Sequence, residues 1–400
     1  MRADPAGRRS RAQRRTLRSR RGGARAALGI LTTLLVLAGC ASPGPSGSFR
    51  GMFDGGRADP GSYYRVERFR IGWYDDILNP ETPVRLADLG FDSVMPYVGS
   101  REASAIAAFL DAAGRSGIGV HLEIPRARVR DSESRALEEY VESWKGRSSV
   151  LSWYLYDEPE WKPEARPSML KKAYSRIRTA DPGRPVDLVF FFPFLSGPYR
   201  GALDVLWLDH YPVAHGSSEY SVLRSGAYSD RMKSFGRRAD RYGVPLTLVL
   251  QGFGEREDGS AQVGRRLPTP RETRYMFWAS FLARPSELLY WTLYRTRESW
   301  LVDVLVPVVR EFRSLFPGPV EYLPDPGFRV EGGRADTVLL GDGAGGRFLA
   351  VLSREATDRD LEIGAPEGWS MGPAGAPSVI QTDSKAGPFA VQVLEVSEIP

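Results

Sequence analysis

The segment Trp153-Tyr154-Leu155-Tyr156-Asp157-Glu158-Pro159-Glu160 places two adjacent carboxylates behind a run of β-forming residues and in front of a proline. A strand cannot continue through that proline, whose nitrogen has no hydrogen to donate, so Asp157 and Glu158 are expected at a strand end. Other apolar runs finish in a similar way. Trp73, Tyr74 and Asp75 close the first, Pro96 and Tyr97 the second, and Glu123 stands near the end of the third. Asp209, His210 and Tyr211 follow Leu208; Gln251 and Phe253 follow Leu250; Phe192 and Phe194, then Trp291 and Tyr294, complete the set. Carboxylates gathered in this manner serve as general acid, base or nucleophile, and aromatic faces stack on the C–H faces of sugar rings. The combination points to a carbohydrate substrate, with Trp73, Asp75, Tyr97, Glu123, Asp157, His210, Tyr211, Gln251 and Trp291 expected to contact it. His121 and His210 are expected at the same end as hydrogen-bonding groups. One Cys and three His in 400 residues exclude a disulfide framework and any multi-cysteine zinc site, so neither a metal nor another cofactor is expected.

These residues need elements that bring strand ends together. Eight apolar runs, Ile71–Tyr74, Ser93–Tyr97, Val120–Ile124, Val150–Tyr156, Val186–Phe191, Val205–Leu208, Leu246–Leu250 and Leu288–Trp291, alternate with segments of helical spacing. Ser100 is expected to cap a helix running through Leu110. Leu137, Tyr140, Val141 and Trp144 mark the next helix, and Leu170, Tyr174 and Ile177 another. Thr269-Pro270-Arg271-Glu272 combines an N-cap, a first-turn proline and a capping-box glutamate, so a helix is expected from there through Phe281. Strand and helix alternating eight times in about 250 residues predicts an α/β fold, a (β/α)8 TIM barrel over residues 66–320. An open doubly wound sheet is the competitor, but Gly72-Trp73-Tyr74-Asp75 does not form the glycine-rich turn that cradles a phosphate. After Leu323-Pro324-Asp325-Pro326-Gly327 the helical period stops. Short alternating runs at Phe328–Val330, Thr337–Leu340, Phe348–Leu352 and Ala390–Val396 predict a small antiparallel, β-sandwich-like domain over residues 325–400, expected to cover barrel surface.

The Asp-Glu-Pro strand end and the order of elements resemble the TIM-barrel glycoside hydrolases of clan A, in which a glutamate closing the fourth strand is the general acid/base. The resemblance implies that Glu158 is the proton donor and that Asp157 orients substrate or tunes it. Trp291 matches the strand-eight tryptophan under the sugar at the cleavage point. At strand seven, where the clan places its nucleophilic glutamate, this chain has Gln251, and an amide can neither attack an anomeric carbon nor take a proton from water. Asp209 is therefore the first choice for a second carboxylate, with Asp75, Glu123 and Glu255 as alternatives. Two readings stay open: a hydrolase acting on a poly- or oligosaccharide by carboxylate acid catalysis, and a catalytically silent carbohydrate-binding protein that kept the barrel.

The overall charge of +5 does not signal a nucleic-acid partner. Residues 1–39 hold ten Arg and a single Asp, which leaves −4 for residues 40–400. The arginines precede 14 uncharged residues, Ala26–Gly39, ending in Leu37-Ala38-Gly39-Cys40. This resembles a bacterial lipoprotein signal peptide, with Cys40, the only cysteine, as the lipidated residue. A Pro-, Gly- and Ser-rich tether is expected over residues 40–65, holding the body outside the cytoplasm on a membrane lipid anchor.

Overall fold

The computed structural model describes residues 63–131, 134–218, 227–254, 264–354, 361–373 and 390–399. The signal segment, Cys40, most of the tether and Glu255 lie outside the described residues. Strand β1 (Tyr64–Val66) is followed by β2 (Arg70–Asp75), β3 (Ser93–Pro96), β4 (Gly119–Glu123), β5 (Val150–Asp157), β6 (Val186–Phe190), β7 (Val205–His210), β8 (Leu246–Gln251) and β9 (Glu287–Trp291). Strands β2 to β9 are parallel and close into a barrel, with β9 pairing back onto β2. The protein is a TIM barrel with a C-terminal β domain. The described residues contain no helix long and apolar enough to cross a membrane.

Each barrel strand alternates between two environments, as a pleated strand must. Leu206 and Leu208, Leu246, Leu248 and Leu250, and Trp73, Leu155 and Phe190 point out into the layer between barrel and helices. Tyr74, Met95, Tyr154, Val189, Trp207, Val249 and Leu289 point in and pack on one another. The helices follow their sequence signals with one exception. Thr269 accepts from the Glu272 amide and Glu272 accepts from the Thr269 amide, completing the capping box of the helix Pro270–Ser280. Ser100, in contrast, caps nothing. The amides of Val98 and Gly99 donate to Glu123 and Arg101 N–H closes on Val98 O, which turns the chain there and delays the helix to Ala103–Ser116.

The second domain comprises β10 (Val320–Leu323), β11 (Arg329–Glu331), β12 (Ala335–Gly341), β13 (Arg347–Ser353), β14 (Glu362–Gly364), β15 (Trp369–Pro373) and β16 (Val391–Glu398). A six-stranded antiparallel sheet runs in the order β1-β10-β12-β13-β16-β15, with β11 and β14 as a separate pair. Tyr64–Val66 thus belongs to this sheet. Tyr64 and Val66 bury inward, while Arg65 pairs with Glu321 of β10 at 2.7 Å. Phe348, Ala350, Leu352, Val391 and Val393 on one face join the barrel core, with the Phe348 ring 5.1 Å from Phe316. Leu339, Leu349, Val351 and Val396 on the other close with Phe328.

At the amino-terminal end of the barrel the interior is polar. His121 bonds Ser152 Oγ at 2.7 Å, Asp187 Oδ2 at 3.2 Å and Glu287 Oε1 at 3.0 Å, and Ser93 donates to the same Glu287 oxygen at 2.6 Å. Burial alone would depress His121; the charges of Glu287 and Asp187 overcome it and hold the imidazole at about 9. Burial dominates at Asp187, pushed up to about 6, whereas at Glu287 the imidazolium wins and the carboxyl sits below its ordinary value. The Trp207 ring lies edge-on to His121 at 4.8 Å and separates this layer from the other end, so His121 does not reach the mouth. Since the folded-state value of His121 exceeds its ordinary value of about 6.5, its contribution to stability is complete below that pH and is lost as pH rises through about 9. His121→Phe is expected to lower unfolding free energy by about 3–5 kcal/mol, because two buried carboxyls lose their cation. Thermal melts of the two proteins from pH 6 to 10 check this: the decline in wild-type Tm across that range should be flattened in the variant.

Candidate active site

At the carboxyl-terminal end, β5 carries two consecutive carboxylates to the mouth although strand geometry would send one of them outward. A register shift between Tyr154 and Tyr156 puts Tyr154 and Asp157 on the interior side, with Asp157 opposite the inward Val189. Glu158 then leaves the strand in the left-handed region, at φ 43° and ψ 63°. Among the described residues Arg284 alone shares a positive φ without being glycine. Such a conformation costs on the order of 1–3 kcal/mol in a non-glycine residue, and here it turns the second carboxyl toward Asp209. Pro159 follows as the first residue of a 3-10 turn, Pro159–Trp161.

Glu158 and Asp209 are in hydrogen-bonding contact. Asp209 is buried, and among the described residues no N–H or O–H reaches its Oδ1; the Tyr211 phenol stands close enough to lower its proton affinity somewhat. Desolvation, then the charges of Glu158 and Asp157, push Asp209 well above the usual carboxylate range. Glu158 is raised by desolvation and by Asp157. Two carboxyls so placed cannot both be ionised without cost, so the pair retains a proton. Asp157 is differently placed. Its Oδ1 accepts from Tyr154 at 3.0 Å and Tyr97 at 3.5 Å, and its Oδ2 from Lys162 at 3.1 Å and Arg126 at 3.3 Å.

Aromatic rings wall the pair. Trp291 stacks on Tyr211 at 5.7 Å and meets Phe253 edge-on at 4.6 Å. Tyr74 packs between Tyr97, Tyr154 and Trp207 at 5.7–5.9 Å. Burial and the neighbouring aspartates hold the phenols of Tyr74, Tyr97, Tyr154 and Tyr211 well above their ordinary value, so all four are hydrogen-bond donors at neutral pH.

The structure therefore brings together Glu158, Asp209, Asp157, Tyr97, Tyr211 and Trp291, and leaves other expected residues elsewhere. Trp73 faces outward and packs on Phe91 and Tyr290. Asp75 also turns away, accepting from Ile77 N–H at 3.2 Å; desolvation raises it to about 6. His210 points outward from the residue next to Asp209 and packs on Tyr228 and Phe235, where burial and then two arginines depress it to about 3. Alternation along the strand explains all three, because Tyr74, Asp209 and Tyr211 take the inward places. Glu123 stands at the mouth, but its Oε2 is occupied by the amides of Val98 and Gly99, so it holds a loop.

Gln251 is also committed. Its Oε1 accepts from Val213 N–H at 2.8 Å, and its Nε2 donates to the carbonyls of Val213, Phe253 and Arg266 at 3.0–3.1 Å. Gly254 permits this, since a side chain there would strike the backbone of Arg266 and Leu267. The amide pins two loops rather than contacting substrate. The sequence reading does not single out Tyr154, Asp76 or Glu160. Asp76 meets Tyr294 and senses the charge of Asp157, and Glu160 anchors the next strand end. Asp76 directly follows an expected site residue, which was the available signal.

No protein-family model and no curated protein matches this chain. Solved structures share its fold. The beta-galactosidase of the psychrophilic Marinomonas ef1 aligns at 12% identity and a TM-score of 0.50 over 62% of this chain, which spans 60% of that protein. Eubacterium rectale Amy13B aligns at 9% identity and a TM-score of 0.53, covering 82% of this chain and 96% of its own. At such identities the likeness concerns the fold alone.

The bonds of Gln251 yield a test. In Gln251→Glu a carboxylate faces three backbone carbonyls, so the substitution is expected to destabilise by about 2–5 kcal/mol and to leave activity no higher. Urea unfolding with parallel rate measurements checks it; a stable variant with raised activity would contradict the pinning role.

Proposed function

We propose that this protein hydrolyses glycosidic bonds of an oligo- or polysaccharide, using the Glu158–Asp209 pair, while tethered outside the cytoplasm through a lipid on Cys40. The observation that carries the reading is the pairing of two carboxyls among aromatic rings at the carboxyl-terminal end of a TIM barrel. Glu158, half-buried, presents the proton to the glycosidic oxygen, and the C–O bond breaks with its electron pair on that oxygen. A water supplies hydroxide to the anomeric carbon and returns its proton to the pair, so the pair ends as it began. Asp209, buried beneath, keeps a proton in the pair, because burial and the charges of Glu158 and Asp157 oppose a second negative charge there. Asp157, the four phenols and Trp291 orient sugar hydroxyls and faces. That one structure of the same fold is named a beta-galactosidase agrees with a sugar in this position. The anchor is supported by Leu37-Ala38-Gly39-Cys40 behind an uncharged run.

A second reading, saccharide binding without turnover, draws on one observation. A pair in hydrogen-bonding contact is closer than the roughly 5 Å of retaining or 6.5–9.5 Å of inverting hydrolases, and Gln251 cannot supply a third carboxylate. Product analysis on polysaccharides that bind the protein separates the two readings.

Glu158→Gln is expected to lower the cleavage rate by about 10²–10⁴-fold; unchanged turnover would remove the assignment. Because both carboxyls are raised, activity should persist above the ordinary carboxylate range near pH 4 and fall as pH rises further. Asp209→Asn removes the more strongly raised member of the pair, so no second acid shares the proton and the alkaline limb should move to lower pH, as read from kcat/KM against pH.

A further inference from the structure

The ring contacts continue beyond the pocket. Phe191 lies 6.4 Å from Tyr211, meets Phe192 edge-on at 5.1 Å and Trp161 at 6.3 Å. Trp161 is also 4.9 Å from Phe192, which in turn is 5.4 Å from Phe194. Trp161 is 56% exposed and Phe194 62%. Single exposed rings are ordinary, but contiguous ones forgo burial that each would gain in a core, and they mark an interaction surface.

This ridge is fixed to the backbone of the carboxyl pair. Glu160 Oε1 accepts from the amides of Phe191 at 2.6 Å and Phe192 at 2.8 Å. Glu160 and Trp161 share the turn that starts directly after Glu158, so one stretch of backbone carries both pair and ridge. Glu160 thus serves the ridge as a backbone anchor.

Resting on the proposed saccharide site, we infer that Trp161, Phe192 and Phe194 form an outer subsite for later sugar units of the same chain, and that the substrate is an extended oligo- or polysaccharide of pyranose rings. Flat C–H faces match exposed rings, and the ring contacts run from the ridge to Tyr211 beside the pair.

Calorimetry of the full chain with the hexa- and disaccharides of cellulose, xylan, mannan and chitin tests this. In Trp161→Ala/Phe194→Ala the ratio of hexasaccharide to disaccharide affinity should fall about tenfold or more, while Trp161→Phe, which keeps a ring, largely preserves it. A ratio unchanged in a folded double variant, with wild type binding normally, would overturn the outer subsite and leave the site at Glu158 standing. Wild type binding none of these saccharides would overturn both. Loss of binding to phosphatidylglycerol vesicles with the ratio unchanged would assign the ridge to a membrane surface and overturn the inference.

Discussion

Two carboxyl groups held in contact inside a pocket from which water is largely excluded cannot both be ionised at neutral pH without severe cost. The upper half of the barrel is arranged around that constraint. Asp209 lies deep, with one oxygen that no N–H or O–H of the described residues reaches, and Glu158 lies above it. The proton between them satisfies both, and it is also the reagent that acid catalysis requires. Asp157, two residues from Pro159, instead meets two phenols and two cations, so adjacent carboxyls in one strand end have different tasks.

The barrel holds this pair through backbone devices as much as through side chains. The register shift around Leu155 and the left-handed conformation of Glu158 bring two neighbouring carboxyls to the same side. Gln251 and Glu123 secure the surrounding loops by binding their amides and carbonyls. Trp207 divides the interior, keeping the ion-paired layer around His121 apart from the site. The two halves thus use charge differently: below, cation and anions compensate one another; above, a single proton is shared between two acids.

Much of this was legible in residue patterns. The eight apolar runs each became a barrel strand, and Thr269 with Glu272 marked a helix start, because period and capping are local properties. Asp209 stood out as a carboxylate at a strand end near a phenol, and Tyr211 does stand beside it. The side of the strand on which each residue falls was not legible at the ends. Trp73, Asp75 and His210 sit one position away from inward residues, and a shift of one position reverses the face. The bulge in β5 has no sequence signature, and the role of Gln251 depends on carbonyls from loops 38 and 15 residues distant. Long-range closure of that kind lies outside any local pattern.

The shared proton is the claim on which the functional account stands. Carbon-13 NMR of protein labelled at the Asp and Glu carboxyls, with Glu158→Gln and Asp209→Asn used for assignment, measures it directly. The account predicts that the two resonances titrate together, with one proton retained well above the ordinary carboxylate range. Independent titration of both groups near pH 4 would contradict it.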